Sequence, residues 1–425
     1  MENKPNAFSF KGRPIEYFGL WLINTILRGL TFGLYYPWAK TNLRKFMYSN
    51  TEFEGTRFTY SGTGLELLIG FLKAIALILT TLLLLTGLFI SKNPVLIVIG
   101  ILLAVVLPFL FSALALHGSM RYLASRVSWR GIFFSYSGQL KSIVFIFLKY
   151  AFLILVGLGV FFSLTQKRFS GETELNIFAP SLLVFLIIIF YTTFYTESRG
   201  YLFNNIRWGK VEVFWYGDGS TFFMLRLRYL LPLMLLALVA YTSRDRFTFL
   251  DEQAIAGLAI FFGFWLLAFM VCMIWYYHGY LHFMISNFRL FQGDTECEVW
   301  HTSKFKDTLL TWAKAFGILV GTIVVTVGIN LLLQQAIDYL WLKFSSNVEV
   351  LNLDLIQYKV ILAVISYLLV LGFMVPVLKI LILKWIINGI RIEGNFDINA
   401  LTQPEQHQTS AVGDDLADMF NIDII

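Results

Sequence analysis

From Leu67 to Ile90 the chain carries one charge, Lys73, and is otherwise apolar apart from a few threonines and glycines. Roughly 20 apolar residues are enough for a helix to cross a hydrocarbon core, so a run of this kind points to lipid as the solvent. Similar runs recur, and the spacing predicts crossing helices over about 64–90, 93–118, 140–164, 178–198, 221–242, 254–283, 307–333 and 357–387. The chain as a whole is 57% hydrophobic and only 14% charged. Soluble domains average about 45–50% apolar and about 25% charged, so a water-soluble globule of 425 residues is not expected. The first residues, Met1-Glu-Asn-Lys-Pro5, are polar and lack the apolar core of a secretory signal. The first apolar segment is therefore expected to serve as the insertion signal.

The helices are separated by a repeated cassette. Phe53-Glu-Gly-Thr-Arg-Phe-Thr-Tyr-Ser-Gly62 recurs without gaps as Trp129-Arg-Gly-Ile-Phe-Phe-Ser-Tyr-Ser-Gly138, at an offset of 76. A third copy, Trp208 to Gly217, lies 155 residues after the first, with its inner glycine moved one place and Trp215 replacing the tyrosine. Asn287 to Trp300 is a weaker fourth copy with about two inserted residues, and Ile392 to Phe396 a partial fifth. At the N-terminus Phe8-Ser-Phe-Lys-Gly12 with Glu16 matches Phe58-Thr-Tyr-Ser-Gly62 with Glu66. Alternating aromatic and polar residues broken by glycine read as two short strands around a turn. Asn50–Glu54 and Thr56–Ser61 are the expected strands of the first copy. The residues that define the cassettes are Phe58, Tyr60 and Gly62, then Phe134, Tyr136 and Gly138, then Trp215 and Gly217. A lone hairpin is marginal in water, so the cassettes are expected to pack together as one layer.

The expected architecture is thus an all-α polytopic membrane protein of four tandem helix pairs, eight spans in all, with short hairpin cassettes between them. Residues 1–64 form an N-terminal unit, 65–398 the repeated helix-pair domain and 399–425 an acidic polar tail. Between the first two cassettes only Tyr17 to Lys40 is available, interrupted by Arg28-Gly-Leu-Thr-Phe-Gly-Leu-Tyr-Tyr-Pro37. That stretch reads either as one crossing helix or as a broken pair returning to the same face. The repeat logic favours the second. Pro37, which cannot donate a backbone hydrogen bond, is expected to stop or kink the helix before it. Basic residues crowd the cassette side (Lys40, Arg44, Lys45, Arg57, Arg121, Arg126 and others), while the opposite loops hold Lys92, Lys167, Arg168, Arg244, Arg246 and Lys343. The positive-inside bias places the cassettes and the C-terminus in the cytoplasm.

Three segments carry a resemblance: Glu16-Tyr-Phe-Gly-Leu-Trp21, Thr31-Phe-Gly-Leu-Tyr-Tyr-Pro-Trp-Ala-Lys40 and Phe58-Thr-Tyr-Ser-Gly62. Through them the chain resembles the YjgN-like family of bacterial inner-membrane proteins, specifically over about the first 75 residues and more loosely through about residue 396. The resemblance implies a bacterial inner-membrane location and a multi-span fold. It implies no substrate, and no functional residue is carried over from it.

One register in the repeat suggests chemistry. Lys73, Lys149 and Arg228 each follow the cassette aromatic (Tyr60, Tyr136, Trp215) by 13 residues, and Lys314 follows Trp300 by 14. Each first helix therefore holds a basic side chain at a depth of about 13 Å, at 1.5 Å per residue. The plain reading is snorkelling of the long stem toward headgroups. The functional reading turns the four groups toward a cavity for a small anion or lipid headgroup. His278 and His282 share a helix face, yet no carboxylate or suitably placed cysteine accompanies them, and an ordinary histidine pair is the better reading. The two cysteines, Cys272 and Cys297, form no disulfide framework. Phosphate-binding loops, nucleophile elbows and metalloprotease motifs are missing, and Glu66 and Glu197 sit only at the ends of spans. No enzyme, cofactor, metal or nucleic-acid partner is expected. The bilayer is the expected partner. Two functions remain: a transporter or channel for a small anionic solute or headgroup, because internal repeats are common in transporters, and a non-transporting scaffold or lipid-binding protein that uses its cassettes. The tail, with Leu416, Met419 and Phe420 among aspartates, reads as a disordered tail or as a docking helix.

Overall fold

A computed structural model describes residues 6–169, 178–242, 252–344 and 352–403. The first cassette folds as a hairpin of β2 (Thr51–Phe53) and β3 (Thr56–Tyr60), the second as β4 (Val127–Trp129) and β5 (Ile132–Tyr136). The third is β6 (Ile206–Trp208) and β7 (Val211–Trp215), and the fourth β8 (Phe288–Gln292) and β9 (Thr295–His301). The half-cassettes at the two ends supply β1 (Asn6–Phe10) and β10 (Ile390–Glu393). The tight turns follow from sequence. Glu54-Gly55 and Arg130-Gly131 hold both residues at positive φ, as a type I′ hairpin turn requires. In the third copy the displaced glycine, Gly209, takes the first turn position at φ 58°, the glycine-first arrangement of a type II′ turn.

The ten strands close into one barrel in the order β1-β10-β9-β8-β7-β6-β5-β4-β3-β2. Neighbours run antiparallel, as in Phe58 opposite Trp129, Phe134 opposite Trp208 and Trp215 opposite Phe288. This overturns the all-α expectation. The physical reason is the edge: a layer of short hairpins leaves unpaired N–H and C=O groups at both sides, and only closure removes them. The half-cassettes make closure possible, since β1 pairs with β10 through Asn6–Ile392 and Ala7–Arg391. Strands of three to seven residues are too short to cross lipid, where about 9–11 are needed. Crossing is left to the helices.

Those helices are α3 (Gly64–Ile90), α4 (Pro94–Arg126), α5 (Leu140–Phe169), α6 (Phe178–Phe203), α7 (Gly219–Thr242), α8 (Glu252–Ser286), α9 (Phe305–Phe344) and α10 (Asn352–Gly389). Among the described residues six of them are long and apolar enough to span, not eight. The other two, α6 and α7, are described only in part. The spans are thinly covered by protein: the most apolar stretch of α4 is 6% buried and that of α9 is 0% buried. Apolar surface on this scale is incompatible with water as the surrounding medium. Capping is explicit where α3 begins, with Thr63 and Glu66 forming a reciprocal capping box, and at α4, where Asn93 accepts from the Val95 N–H.

Packing divides the described residues into two units. The first holds Asn6, Ala7, Phe53–His301 and Ile390 onward; the second holds Phe8–Glu52 and Thr302–Gly389. In the second, residues 17–40 belong to two helices, α1 (Pro14–Leu30) and α2 (Tyr36–Ser49), joined by a turn with Phe32 and Gly33 at positive φ. Pro37 opens α2 instead of ending α1, a first-turn position where its missing N–H costs nothing. Phe10, Tyr17, Ile380 and Leu383 form the core of this unit, with Leu43, Phe46, Met47 and Ile387 packed against them. Beyond Gln403 the acidic tail, with the docking segment around Leu416, Met419 and Phe420, lies outside the described residues, as do Arg244 and Arg246.

Candidate functional site

Strand alternation sends every second side chain inward, and in the first unit the barrel interior fills with rings. Phe53 and Trp129 are fully buried, and Trp208, Phe58 and Phe396 nearly so. Trp129 and Trp208 meet edge to face at 5.4 Å, Phe53 meets each at 5.5 Å, and Phe134 stacks on Trp208 at 5.4 Å. The indole N–H of Trp129 donates to the carbonyls of Phe53 and Thr56 at 3.2 and 3.1 Å. Val211, Leu290, Cys297, Val299 and Ile392 complete the wall. Burial and the neighbouring Glu296 push the Cys297 thiol up from its ordinary pKa. The chain after β10 crosses the turn end of the barrel. Phe396 stacks on Trp208, and the Gln403 side chain accepts from the Phe133 N–H at 2.7 Å. A barrel of eight strands is just filled by ordinary side chains; with ten, large aromatic rings do the filling.

The last residue of each inner strand marks where the helices begin. Tyr60, Tyr136, Trp215 and His301 each face the first residue of the next strand: Val127, Ile206, Phe288 and Ile390. In three copies this ring lies directly over the glycine two residues on, Gly62, Gly138 or Gly217, leaving no room for a Cβ, and Phe10 covers Gly12 in the same way. The fourth copy has Ser303 in the glycine position. The strand register also corrects the sequence alignment. His301, not Trp300, is the equivalent of Tyr60, and Lys314 follows it by 13 residues, the same spacing as in the other three copies.

The four basic residues thus hold equivalent positions, yet each meets a different environment in its own helix pair. Lys73 is exposed on α3. Lys149 donates to Glu197 of α6 at 2.6 Å, and the Tyr150 hydroxyl donates to the same carboxylate at 2.8 Å. The Arg228 guanidinium lies 4.4 Å from the Trp275 ring centroid and against Gly279 of α8, where a Cβ would sit 2.5 Å from a guanidinium nitrogen. In the second unit Lys314 lines a hollow between α9 and α10 together with Lys384. Nearer the barrel, Glu66 accepts from Arg126 at 2.7 Å and from the Tyr122 hydroxyl at 2.9 Å.

Reading residues alone missed the two acidic partners. Distance from the cassettes would have found the Lys149–Glu197 pair: Lys149 lies 11 residues after Gly138, and Glu197 lies 11 before Trp208. Antiparallel helices that leave and rejoin one barrel bring such positions to equal depth. His278, His282 and His301 form a file of rings, with centroids 4.6 and 5.6 Å apart. Among the described residues no group of three or more His, Cys, Asp or Glu has metal-binding geometry.

These features define a membrane protein of apolar helix pairs linked by short-strand hairpins, with the strands closing into an aromatic-filled barrel. The chain belongs to the family described as bacterial protein of unknown function (DUF898), which matches residues 5–419. It is similar to inner membrane protein YjgN of Escherichia coli O157:H7, 26% identical over 49% of this chain and 52% of that one. The K12 counterpart is 25% identical over the same shares, and YjgN of Salmonella typhimurium strain LT2 is 28% identical over 33% of each chain. The chain spans about half the length of the curated relatives it matches. It is a membrane protein of a YjgN-like, inner-membrane family. No solved structure matches it.

Proposed function

We propose that this protein is a non-transporting membrane scaffold or lipid-binding protein, with the barrel as a rigid platform in the cytoplasm and the helix pairs as its lipid-facing part. The filled barrel carries the reading: Phe53, Trp129, Trp208 and Phe396 occupy the space an axial path would need. The separate environments of Lys73, Lys149, Arg228 and Lys314 support it too. A conduit for anions gains from basic groups that share one water-filled path, whereas here Lys149 is matched to Glu197 and Arg228 to an aromatic ring. The basic residues on the cassette side support the cytoplasmic placement. Neither part of this reading assigns catalysis.

The test is anion flux from liposomes. Purified protein reconstituted with chloride or phosphate inside should leak no faster than empty vesicles. Flux above that background which disappears in a Lys149→Leu variant would overturn the proposal and restore the transport reading. Cleavage of a protease site inserted at the Gly293-Asp294 turn from the periplasmic side would overturn the orientation alone.

A further inference from the structure

The fourth helix pair differs from the other three in a way that points to a ligand. In the second unit a hollow of about 480 Å³ opens between the start of α9 and the end of α10. That volume is in the range of small-molecule sites. Two ammonium groups line it, Lys314 from α9 and Lys384 from α10. Among the described residues neither forms an ion pair. The single carboxylate there, Asp307, accepts the Lys304 N–H at 2.9 Å and so caps its own helix. Two cations against one engaged anion leave the hollow net positive.

Its position narrows the ligand. Both helices contain stretches apolar enough to span a bilayer, Phe305–Tyr339 and Gly372–Gly389. Counting from the barrel end of each helix at 1.5 Å per residue, Lys314 lies about 13 Å in and Lys384 about 8 Å in. Beside them Leu309 and Leu310 are exposed, and Trp385, an indole of the kind that settles at headgroup level, lines the hollow. Ser303, standing where three other cassettes have a ring-covered glycine, and Thr311 add polar rim. In the equivalent place of the second pair, Glu197 neutralises Lys149.

We infer that this hollow binds a phosphate group, taken from an anionic phospholipid headgroup or from free phosphate. The inference deepens the lipid-binding reading and rests on it. Flux decides that reading; headgroup retention decides this one.

The experiment uses the full chain in mild detergent, titrated with phosphatidylglycerol, with phosphatidylcholine or with inorganic phosphate. Binding is followed by native mass spectrometry and by thermal shift. Phosphatidylglycerol should bind in preference to phosphatidylcholine. Lys314→Gln or Lys384→Gln should each weaken it about fivefold and the double variant about 25-fold, as expected for a basic group near a membrane surface. Lys379→Gln, an exposed lysine of α10 outside the hollow, should leave binding unchanged, and Lys314→Arg should preserve it. Binding of inorganic phosphate alone, lost in the same variants, would support the site with free phosphate as the source. The inference fails if neither phosphate source binds, or if Lys379→Gln weakens binding as much as Lys314→Gln. The melting temperature without ligand reports whether each variant is folded, and the single variants decide the matter if the double one is not.

Discussion

The barrel and the helices solve opposite problems with the same kind of residue. In the barrel, rings such as Trp129 and Phe53 are fully buried against one another. Along α3, Leu83 is 74% and Leu79 55% exposed, and the apolar window of that helix is only 17% buried. Water forces the first arrangement, because short strands outside lipid must cover their apolar faces themselves. Lipid permits the second, because its tails are as apolar as leucine and give helices no hydrophobic reason to associate. Cohesion is thus concentrated in the small β-element, and the long helices expose most of their apolar surface.

That division can be broken at its strongest point by Trp129→Ala. The side chain touches Phe53 and Trp208 and satisfies two carbonyls. Its loss should cost about 3–5 kcal/mol, the usual range for a large aromatic removed from a core. The melting temperature in detergent reads the loss. The same variant should expose Cys297, which in the native barrel is buried and carries a thiol pKa raised by that burial, so a maleimide should label it only after the substitution. Rapid labelling of Cys297 in the unaltered protein would mean that the barrel is not filled.

A second comparison sits inside the helices. Lys149 and Lys314 occupy one register position, but the first is held by Glu197 and the second has no acidic partner among the described residues. Lys149→Leu strands a carboxylate that, among the described residues, keeps the Tyr150 hydroxyl. A cost of about 1–3 kcal/mol is expected, the penalty for leaving such a group unsatisfied. Lys314→Leu should change stability by less than about 0.5 kcal/mol. Adding Glu197→Leu to Lys149→Leu should recover most of the loss, and the double-mutant cycle measures how much. Equal effects at the two lysines would erase the distinction between the pairs.

At the aqueous start of α7, Asp218 sharpens the picture at a lower energy. Its carboxylate accepts from the Ser220 hydroxyl and from the Thr221 and Ser220 backbone N–H groups, which hold its pKa below the ordinary 3.8. The sign follows from the direction of the shift. The cap is complete above pH 3.8, and it is lost as pH falls below that value toward the lowered pKa of the folded state. Asp218→Ala should cost about 1 kcal/mol at neutral pH. The difference from the unaltered protein in melting temperature should shrink as the pH is taken down through that window, and a difference that grew with acid would contradict the cap.

Much of this was legible in the sequence, and the rest was hidden for identifiable reasons. Glycine and alternation located the hairpins at Phe53–Gly62, Trp129–Gly138 and Trp208–Gly217, because turn chemistry and period two are local properties. Closure was not local. It depends on Asn6 and Ala7 finding Ile392 and Arg391 at the other end of the chain, a pairing with no sequence signature. The apolar runs located the helices, because hydropathy over about 20 residues is likewise local. The basic register at Lys73, Lys149 and Arg228 was visible, and the fourth copy was misaligned by one residue because Trp300 is a better tyrosine substitute than His301. Strand pairing, not residue likeness, fixes that register.

The weakest expected effect tests the comparison at its other end. Leu83 projects from the C-terminal half of α3 with 74% of its surface free of protein contacts. In water a leucine buried in a core would cost about 2–5 kcal/mol when cut to alanine. Here the side chain exchanges lipid for lipid, little packing is lost, and alanine is itself a good helix former. Leu83→Ala should therefore move stability by no more than about 0.5 kcal/mol, read as an unchanged melting temperature in detergent. Leu83→Asp distinguishes the lipid-facing reading from simple surface exposure. An aspartate costs about 2.5–3.5 kcal/mol at the centre of a spanning helix on insertion scales and less toward its ends, so the variant should lose insertion or yield, whereas on a water-exposed helix it would be tolerated. An aspartate tolerated at this position would place α3 in water and remove lipid as the reason its leucines are left uncovered.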